Sequence, residues 1–319
     1  MTRAASAGVS PSSNARQRSR FPGKKSVELA AAYRDAQRFL RREYVTGVGI
    51  GYAMKRGRYT KQIAISIHVS AKLEESRITK AQRFPKSLRG VRVDVVQLNI
   101  NPQLSDSDFQ ARQRTKADPL RPGILIKTDS GDFGTLGLVV TKLSDGQTYI
   151  LGSGHVLGAP GTKVFQPNRT LAPNSIGDVT IVNGTPGDAA IARCSGRGFR
   201  NQPQGTNVRI NSVRRAAIGE VFQLSGAMTG LTNGEVVWVG IKDIVYGPND
   251  RRRVNGFQLK PATNADPITE RGDSGALWFD SAGAGVGLHV GSDTDPNEGN
   301  SWFFACHLEE AMAEMELSL

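Results

Sequence analysis

The chain has 319 residues, of which 38% are hydrophobic, 22% charged and 7% aromatic. This length suggests two folding units, and 36 glycines among short apolar runs favour strands and turns over a helical bundle. No run of about 18 apolar residues is present, which excludes a membrane-spanning helix, and residues 1–25 lack the apolar core of a secretory signal.

The chain contains two cysteines, Cys194 and Cys306. They fit no metal-ligand spacing and could form at most one disulfide. We therefore expect no metal and no cofactor. Because extracellular proteins are often stabilised by several disulfides, the low cysteine count predicts a reducing compartment, the cytoplasm.

Charge is distributed unevenly along the chain, whose net charge is +12. Residues 1–122 carry 25 Lys and Arg against 9 Asp and Glu, and residues 123–319 carry 16 against 20. This asymmetry fits either nucleic-acid contact or two complementary units that dock. The basic residues are scattered and no aromatic stacking motif lies among them, so nucleic-acid binding is not favoured. A regulatory protein partner and a homo-oligomer both stay open.

The front half predicts a disordered basic tail followed by a small α+β domain over residues 27–101. Leu29, Ala32, Tyr33, Ala36 and Leu40 recur at helical spacing. The predicted elements are a helix over Val27–Tyr44, a hairpin of strands Gly47–Ala53 and Gln62–Val69, a helix over Glu74–Arg83 and a strand over Val91–Leu98. The tail before them covers residues 1–26.

The back half predicts a linker over residues 102–121, rich in Pro, Ser, Asp and Gln, and then a strand-rich domain over residues 122–319. Short apolar runs alternate there with turn residues, which suits a closed double barrel. The predicted strands include Gly134–Thr141, Gln147–Leu151, Ala189–Arg193, Glu235–Val239, Gly256–Leu259, Ala276–Phe279 and Ala284–Val290. A final amphipathic helix is predicted over Cys306–Leu317.

The sequence Gly272-Asp273-Ser274-Gly275 stands directly before an apolar run. Its glycines permit a sharp turn, so the N–H groups of Gly272 and Ser274 can converge beside the Ser274 hydroxyl. Two such donors beside a hydroxyl form an oxyanion hole next to a nucleophile. The alternative is an ordinary surface β-turn, because Gly, Asp and Ser are common turn residues.

A histidine and a carboxylate lie upstream in suitable settings. His155 follows the apolar run Tyr149–Leu151, and Asp188 opens the apolar run Ala189–Ala192. In a catalytic triad the histidine takes the proton of the serine, and the aspartate fixes the histidine tautomer. Asp178 is the alternative carboxylate; Asp188 is preferred because the apolar strand after it would bury its side chain beside the imidazole.

The chain resembles trypsin-like serine peptidases of the chymotrypsin fold, in which the triad follows the same order of His, Asp and Ser. More narrowly, it resembles the bacterial and plant branch that includes the plant narrow-leaf protein. The segments that carry this resemblance are Thr46–Tyr52, Phe84–Val96, Gly134–Gly137, Gly154–Leu157, Asp188–Ala192, Ser225–Gly234, Gly272–Gly275 and Val286–Ser292. The resemblance implies a mainly β protein, a chymotrypsin-like double β-barrel with a small N-terminal α+β domain.

The resemblance also implies substrate-binding positions. The strand at Leu288, His289, Val290 and Gly291 would pair with the substrate backbone, with His289 either in the pocket or on a polar face. Ile268 stands where trypsins carry an acidic pocket base, so cleavage after Arg or Lys is not implied, although Asp266 and Glu270 lie close in sequence.

No activation sequence of the trypsin type precedes the barrel, since Arg121-Pro122-Gly123-Ile124 carries a proline. Activation by a freed N-terminus that pairs with Asp273 is therefore not expected. We also predict that residues 27–100 dock on the barrel, chiefly through the apolar faces of the Val27–Tyr44 helix and the Gln62–Val69 strand.

Two functions follow from these patterns. The first is an intracellular serine endopeptidase that hydrolyses a protein or peptide substrate through His155, Asp188 and Ser274 and is regulated by its N-terminal domain. The second is a catalytically silent scaffold of the same fold, which binds an acidic partner or nucleic acid through its basic front half.

Overall fold

The structure, a computed structural model, describes residues 24–319 except residues 56–57, 73–76, 80–81, 99, 103–115, 168–171, 184–186, 248–249, 268 and 296–299. The predicted tail up to residue 23, most of the predicted linker and Ile268 lie outside the described residues. No helix in the described ranges is long and apolar enough to cross a bilayer.

The described residues are mostly strand. The helices are α1 (Lys24–Ala36), α2 (Gly154–Leu157) and α3 (Leu308–Glu314). The strands are β1 (Val45–Lys55), β2 (Arg58–Val69), β3 (Ser87–Leu88), β4 (Val91–Gln97), β5 (Asn101–Pro102), β6 (Leu125–Thr128), β7 (Phe133–Thr135), β8 (Leu138–Lys142), β9 (Thr148–Gly152), β10 (Lys163–Phe165), β11 (Ser175–Asn183), β12 (Ala189–Cys194), β13 (Ser212–Val213), β14 (Val221–Gly226), β15 (Gly230–Gly247), β16 (Asp250–Pro261), β17 (Leu277–Phe279), β18 (Ala284–Asp295), β19 (Asn300–His307) and β20 (Leu317–Ser318).

The front half begins with α1, which buries Leu29, Ala32 and Ala36 against β1, β2 and β4. The predicted helix up to Tyr44 is shorter than expected, because a 3₁₀ turn over Gln37–Arg41 replaces its last turns. The helix prediction over Glu74–Arg83 lies partly outside the described residues. Within it, Ile78 and Thr79 are not helical, because the Gln82 side chain closes a turn on the N–H and hydroxyl of Thr79 at 3.0 and 2.9 Å.

The sheets form two barrel-like units. One sheet has the antiparallel order β20-β8-β9-β12-β11-β10-β6-β7, and its core contains Ile126, Leu136, Ile150, Val164 and Ala190. The other sheet has the order β14-β17-β18-β19-β16-β15-β1-β2-β4-β3. Phe222, Phe257, Leu259, Trp278 and Phe303 form its core. This architecture agrees with the predicted mainly β double barrel.

The front half extends the second sheet. β1 pairs antiparallel with β15 from Gly47 opposite Lys242 to Gly51 opposite Trp238. The pairing is close because β1 has glycine at positions 47, 49 and 51, and the Trp238 side chain fills the space beside Gly49 and Gly51. A Cβ on Gly49 would lie 2.2 Å from this ring. The backbone pairing with the barrel is thus made by β1, which the docking prediction did not name. β2, which it did name, also contacts the barrel: His68 stacks on Trp238 at 4.7 Å, and the Tyr59 ring lies 4.8 Å from Trp302.

The C-terminus differs from the predicted helix over Cys306–Leu317. Cys306 and His307 belong to β19, which pairs with β16 and β18. Only Leu308–Glu314 is helical. Glu316 then has φ +56°, a left-handed conformation that ends the helix, and β20 pairs with β8.

Candidate active site

His155 and Asp188 form a doubly hydrogen-bonded buried pair. His155 lies in α2, immediately after β9, and Asp188 precedes β12, the neighbour of β9. The backbone N–H of His155 donates to Asp188 Oδ1 at 2.9 Å, and its Nδ1 lies 2.6 Å from Asp188 Oδ2. Gly154 permits this approach, because a Cβ there would lie 3.1 Å from Asp188 Oδ1.

The environment of Asp188 keeps its carboxylate ionised although it is fully buried. Burial acts to raise the pKa of Asp188, but the charge of His155 and the hydrogen bonds from the His155 ring and backbone outweigh it, so the pKa lies below the ordinary value. Since a carboxylate can only accept, Nδ1 of His155 carries the proton. In the neutral imidazole, Nε2 is then the acceptor.

The tip of the long β15–β16 hairpin covers this pair. The Tyr246 ring lies 5.1 Å from the His155 ring, and the Arg252 guanidinium lies 4.7 Å from the Tyr246 centroid. Arg252 Nη1 is also 3.8 Å from Asp188 Oδ1, while Asp250 accepts two bonds from Arg252. Burial and the nearby Asp188 charge raise the pKa of Tyr246 well above its ordinary value. The His155 side chain is consequently only 3% exposed.

Ser274 stands in a tight turn between Gly272 and Gly275, whose φ angles are +100° and +91°. These left-handed conformations require glycine. The Ser274 hydroxyl is buried and donates to the Val290 carbonyl at 3.3 Å. His155 Nε2 is buried as well and has no hydrogen-bond partner among the described residues. A buried ring nitrogen without a partner is costly, at about 1–3 kcal/mol, and marks a position where a partner is expected.

Thr135 ties the Ser274 turn to the other sheet. Its hydroxyl donates to the Gly272 carbonyl at 2.7 Å, and its N–H donates to the Ser274 carbonyl at 2.8 Å. Two carbonyls of the turn are thus held, whereas the N–H groups of Gly272 and Ser274 have no acceptor among the described residues.

The Asp273 carboxylate is buried and held by donors from its own chain. The N–H groups of Glu270, Met228 and Thr229 donate to it at 2.8, 2.9 and 3.2 Å, and so does the Thr229 hydroxyl. Burial raises the pKa of Asp273, and these hydrogen bonds offset part of that rise. Gly226 allows the contact, because a Cβ there would lie 2.3 Å from Asp273 Oδ1.

The predicted substrate strand, β18, runs past Ser274. Gly275 N–H donates to the His289 carbonyl, and His289 N–H donates to the Ala276 carbonyl, both at 2.8 Å. The His289 side chain is fully buried between Trp278 and Phe303, so it does not lie on a solvated polar face. Neither of its ring nitrogens has a described partner. Burial, and secondarily the charge of His155, lower the pKa of His289 to about 3.

The remaining candidates lie away from this centre. Asp178 is 58% exposed on β11 and pairs with Lys163 at 3.4 Å. Asp266 accepts from Thr263 and Asn233 in its own turn, and Glu270 is exposed. The sequence patterns missed four residues that support the site, which are Thr135, Ser153, Tyr246 and Arg252. Of these, only Thr135 had a signal, since it lies within the segment Gly134–Gly137. Ser153, whose hydroxyl donates to the His289 carbonyl at 2.9 Å, directly precedes the segment Gly154–Leu157.

No family model and no curated protein sequence matches the chain. Several solved structures are similar, each covering 63% or 62% of this chain. A protease of Thermobifida fusca (protease A) has 21% identity and a TM-score of 0.50 over 98% of its length. A glutamic acid-specific serine protease has 20% identity and a TM-score of 0.51 over its full length. An α-lytic protease homologue has 20% identity and a TM-score of 0.50 over 98% of its length. The chain therefore has the chymotrypsin fold of bacterial serine proteases.

Proposed function

We propose that the protein is a serine endopeptidase that hydrolyses peptide bonds through an acyl-enzyme intermediate. The observation that carries this proposal is the buried His155–Asp188 pair, with Nδ1 protonated at 2.6 Å from the carboxylate and Nε2 left without a described partner. The Ser274 turn and the residue after His155 both lie against Gly134, since a Cβ there would be 2.6 Å from the Ser274 carbonyl oxygen and 2.8 Å from Val156. The fold of the chain is consistent with this activity.

In the proposed mechanism, Ser274 is the nucleophile and His155 is the general base. The Ser274 hydroxyl first turns from the Val290 carbonyl to His155 Nε2, an adjustment that fits the loose catalytic hydrogen bonds common in unliganded sites. As Ser274 attacks the substrate carbonyl, its proton passes to Nε2, and the ionised Asp188 stabilises the imidazolium. His155 then donates this proton to the leaving amine, and water releases the acyl group by the same route.

The negative charge that develops on the substrate oxygen would be met by the N–H groups of Gly272 and Ser274. Neither donor has an acceptor among the described residues. Removing one donor of an oxyanion hole costs about 10²–10³-fold in turnover, so the geometry of this turn would matter in addition to the triad. The four internal donors to Asp273 support a turn that needs no freed N-terminus.

A fluorophosphonate probe tests the proposal, because it reacts only with an activated serine. We expect the full chain to be labelled, and both Ser274→Ala and His155→Ala to abolish labelling. Asp178→Asn is the matched control and should be labelled like the wild type, because Asp178 is exposed and remote from His155. If the folded full chain is not labelled, the silent scaffold is the better description.

Specificity is proposed to favour uncharged or apolar residues on the acyl side of the cut bond. His289 cannot supply a positive charge at neutral pH, because its pKa is about 3, and Ile268 offers no charge partner in the sequence. A tetrapeptide library with Leu, Phe, Arg, Lys and Glu at that position measures the preference. A dominant preference for Glu, the residue named for one similar protease, would contradict this and implicate His289.

The finer assignments are part of the same proposal. Membership of the plant narrow-leaf branch rests on the motif set alone. The cytoplasmic location rests on the two cysteines, both of which are free thiols. Protein or peptide substrates are the proposed binding partners.

A further inference from the structure

A short strand from the front half lies on the edge of β18 beside the nucleophile. β17 pairs with this edge as far as Leu277 opposite Leu288. The Ser274 turn follows, with the serine hydroxyl on the Val290 carbonyl. Directly beyond it, β5 pairs antiparallel with the same strand, Pro102 opposite Gly291 and Asn101 opposite Ser292. β5 thus continues the line of β17 on the far side of Ser274.

The direction of β5 is that of an acyl-side substrate segment. Because the pairing is antiparallel, the chain runs from Asn101 opposite Ser292 to Pro102 opposite Gly291, toward Val290 and Ser274. In peptide hydrolysis the acyl part precedes the attacked carbonyl in the chain. It must therefore approach the nucleophile with its carboxyl end foremost, as β5 does.

The residues before β5 fix it to the body of the protein. Leu98 N–H donates to the Val69 carbonyl at 3.2 Å. The Leu98 carbonyl accepts from the Thr46 hydroxyl and from Lys242 Nζ, each at 3.2 Å. Ile100 is only 3% exposed and belongs to the core cluster that contains Val290, Trp238 and Phe304. The approach of β5 to the site is therefore built into the packing of the front half.

We propose that β5 occupies the backbone edge that the acyl side of a peptide substrate needs, and that it thereby inhibits the peptidase in cis. This inference rests on the proposed function, since it assigns the regulation of the same site. Extended peptides bind exposed sheet edges by adding a strand, with main-chain hydrogen bonds supplying the affinity. A strand already in that place excludes them. The front half is then a tethered competitor, present at an effective concentration of order millimolar.

The mechanism separates two kinds of ligand. A substrate that extends over several acyl-side residues must displace β5, so its apparent affinity is reduced by the fraction of molecules in which the edge is free. A fluorophosphonate needs only Ser274, His155 and the oxyanion donors. The small probe therefore reports whether the catalytic groups work, and the extended peptide reports whether the edge is accessible.

Asn101 allows the strand to be weakened without truncating the chain. Because Pro102 has no N–H, any N–H that these two residues give to β18 comes from Asn101. Asn101→Pro removes this donor, whereas Asn101→Ala removes only the side chain and is the matched control. In the full chain we expect Asn101→Pro to lower the KM for the best library tetrapeptide at least tenfold. Its fluorophosphonate labelling rate should stay within twofold of wild type, and Asn101→Ala should match wild type in both.

A double variant, Asn101→Cys with Ser292→Cys, gives a second measurement should Asn101→Pro fail to fold. The oxidised form of this variant is compared with its own reduced form. Oxidation should fix β5 on β18 and lower kcat/KM for the tetrapeptide at least tenfold. Fluorophosphonate labelling should be equal in both forms. If the oxidised and reduced forms label and cleave equally, the cis-inhibition proposal is overturned while the peptidase stands. Absence of labelling in every protein would instead remove the peptidase proposal, and this inference with it.

Discussion

At the scale of single residues, the site depends on one buried charge. Asp188 is fully buried, yet its pKa is lowered, because His155 supplies both a charge and two hydrogen bonds. Such a pair is destabilising if one partner is removed, since the other is left buried and uncompensated. The position therefore serves orientation of the imidazole, and stability is secondary.

Asp188→Asn should keep the fold but lower kcat by about 10⁴-fold, because an amide can donate to Nδ1 and so favours the wrong histidine tautomer. Turnover of the best tetrapeptide, measured beside the melting temperature, checks this. Asp178→Asn is the control and should retain wild-type turnover. If the two variants exchanged these outcomes, Asp178 would be the triad carboxylate.

At the scale of elements, the junction between β1 and β15 is set by side-chain volume. β1 has glycine at positions 49 and 51, which lets the Trp238 indole lie directly against its backbone. His68 stacks on the same ring with centroids 4.7 Å apart. A strand interior rich in glycine is intrinsically weak, so its presence here reflects the space that the indole needs.

Gly49→Ala should destabilise the protein by roughly 1–3 kcal/mol, because its Cβ would lie 2.2 Å from the Trp238 ring in a packed core. Urea unfolding measures the change in the free energy of unfolding. Gly247→Ala is the control at another strand glycine, where a Cβ meets no atom within 4 Å, and it should change stability by less than about 0.5 kcal/mol. Equal stabilities of the two variants would mean that β1 does not pack against Trp238 in this way.

At the scale of the whole molecule, three buried histidines make the fold sensitive to acid. Burial lowers the pKa values of His289 and His307 to about 3, and that of His68 well below its ordinary 6.5. Between these values and 6.5 the unfolded chain binds protons that the folded chain does not. Stability is therefore complete above pH 6.5 and falls as the pH decreases below it, by up to about 1.4 kcal/mol per pH unit for each histidine.

Unfolding free energies at pH 7 and pH 5 test this, and they should be clearly lower at pH 5. His307→Phe should reduce the pH dependence of the unfolding free energy by the contribution of one histidine. The variant should still fold, because the new ring can pack against Phe257 as His307 does. Asp188 does not interfere, since its own contribution is lost only below the ordinary pKa of an aspartate. A free energy that is constant from pH 7 to pH 5 would contradict the prediction.

A second whole-molecule prediction concerns a chain of residues 122–319. Without β1, the β15 backbone from Trp238 to Lys242 becomes a free sheet edge, and the Trp238 side chain loses its cover. Exposed apolar edges associate with other chains. We expect this shortened protein to aggregate in size-exclusion chromatography where the full chain does not. A monomeric product of undiminished stability would instead support the predicted boundary between an independent front domain and the peptidase domain.

The sequence was sufficient to predict strands whose apolar residues follow a regular pattern. Period-two apolar runs predicted β2 and β4. The continuous apolar run after Asp188 predicted β12 and favoured Asp188 over Asp178 as the partner of His155. Contacts between distant elements could not be predicted. β5 has two residues and no periodicity, and the cover of His155 by Tyr246 depends on the length and twist of the β15–β16 hairpin. The third helix was overestimated because β19 continues through Cys306 and His307.

The long strand β15 contacts three separate parts of the molecule. It begins at Gly230, next to Thr229, which donates to Asp273, the neighbour of the proposed nucleophile. It ends at Gly247, next to Tyr246, which covers His155. The front half is attached to the middle of β15 through the backbone pairing of β1. Opening of this strand would release the Ser274 turn, the cover of the His155–Asp188 pair and the front half together. Amide hydrogens along β15 should therefore exchange as one cooperative unit. Substitutions in β1 should alter turnover at the proposed site although β1 does not contact the site residues.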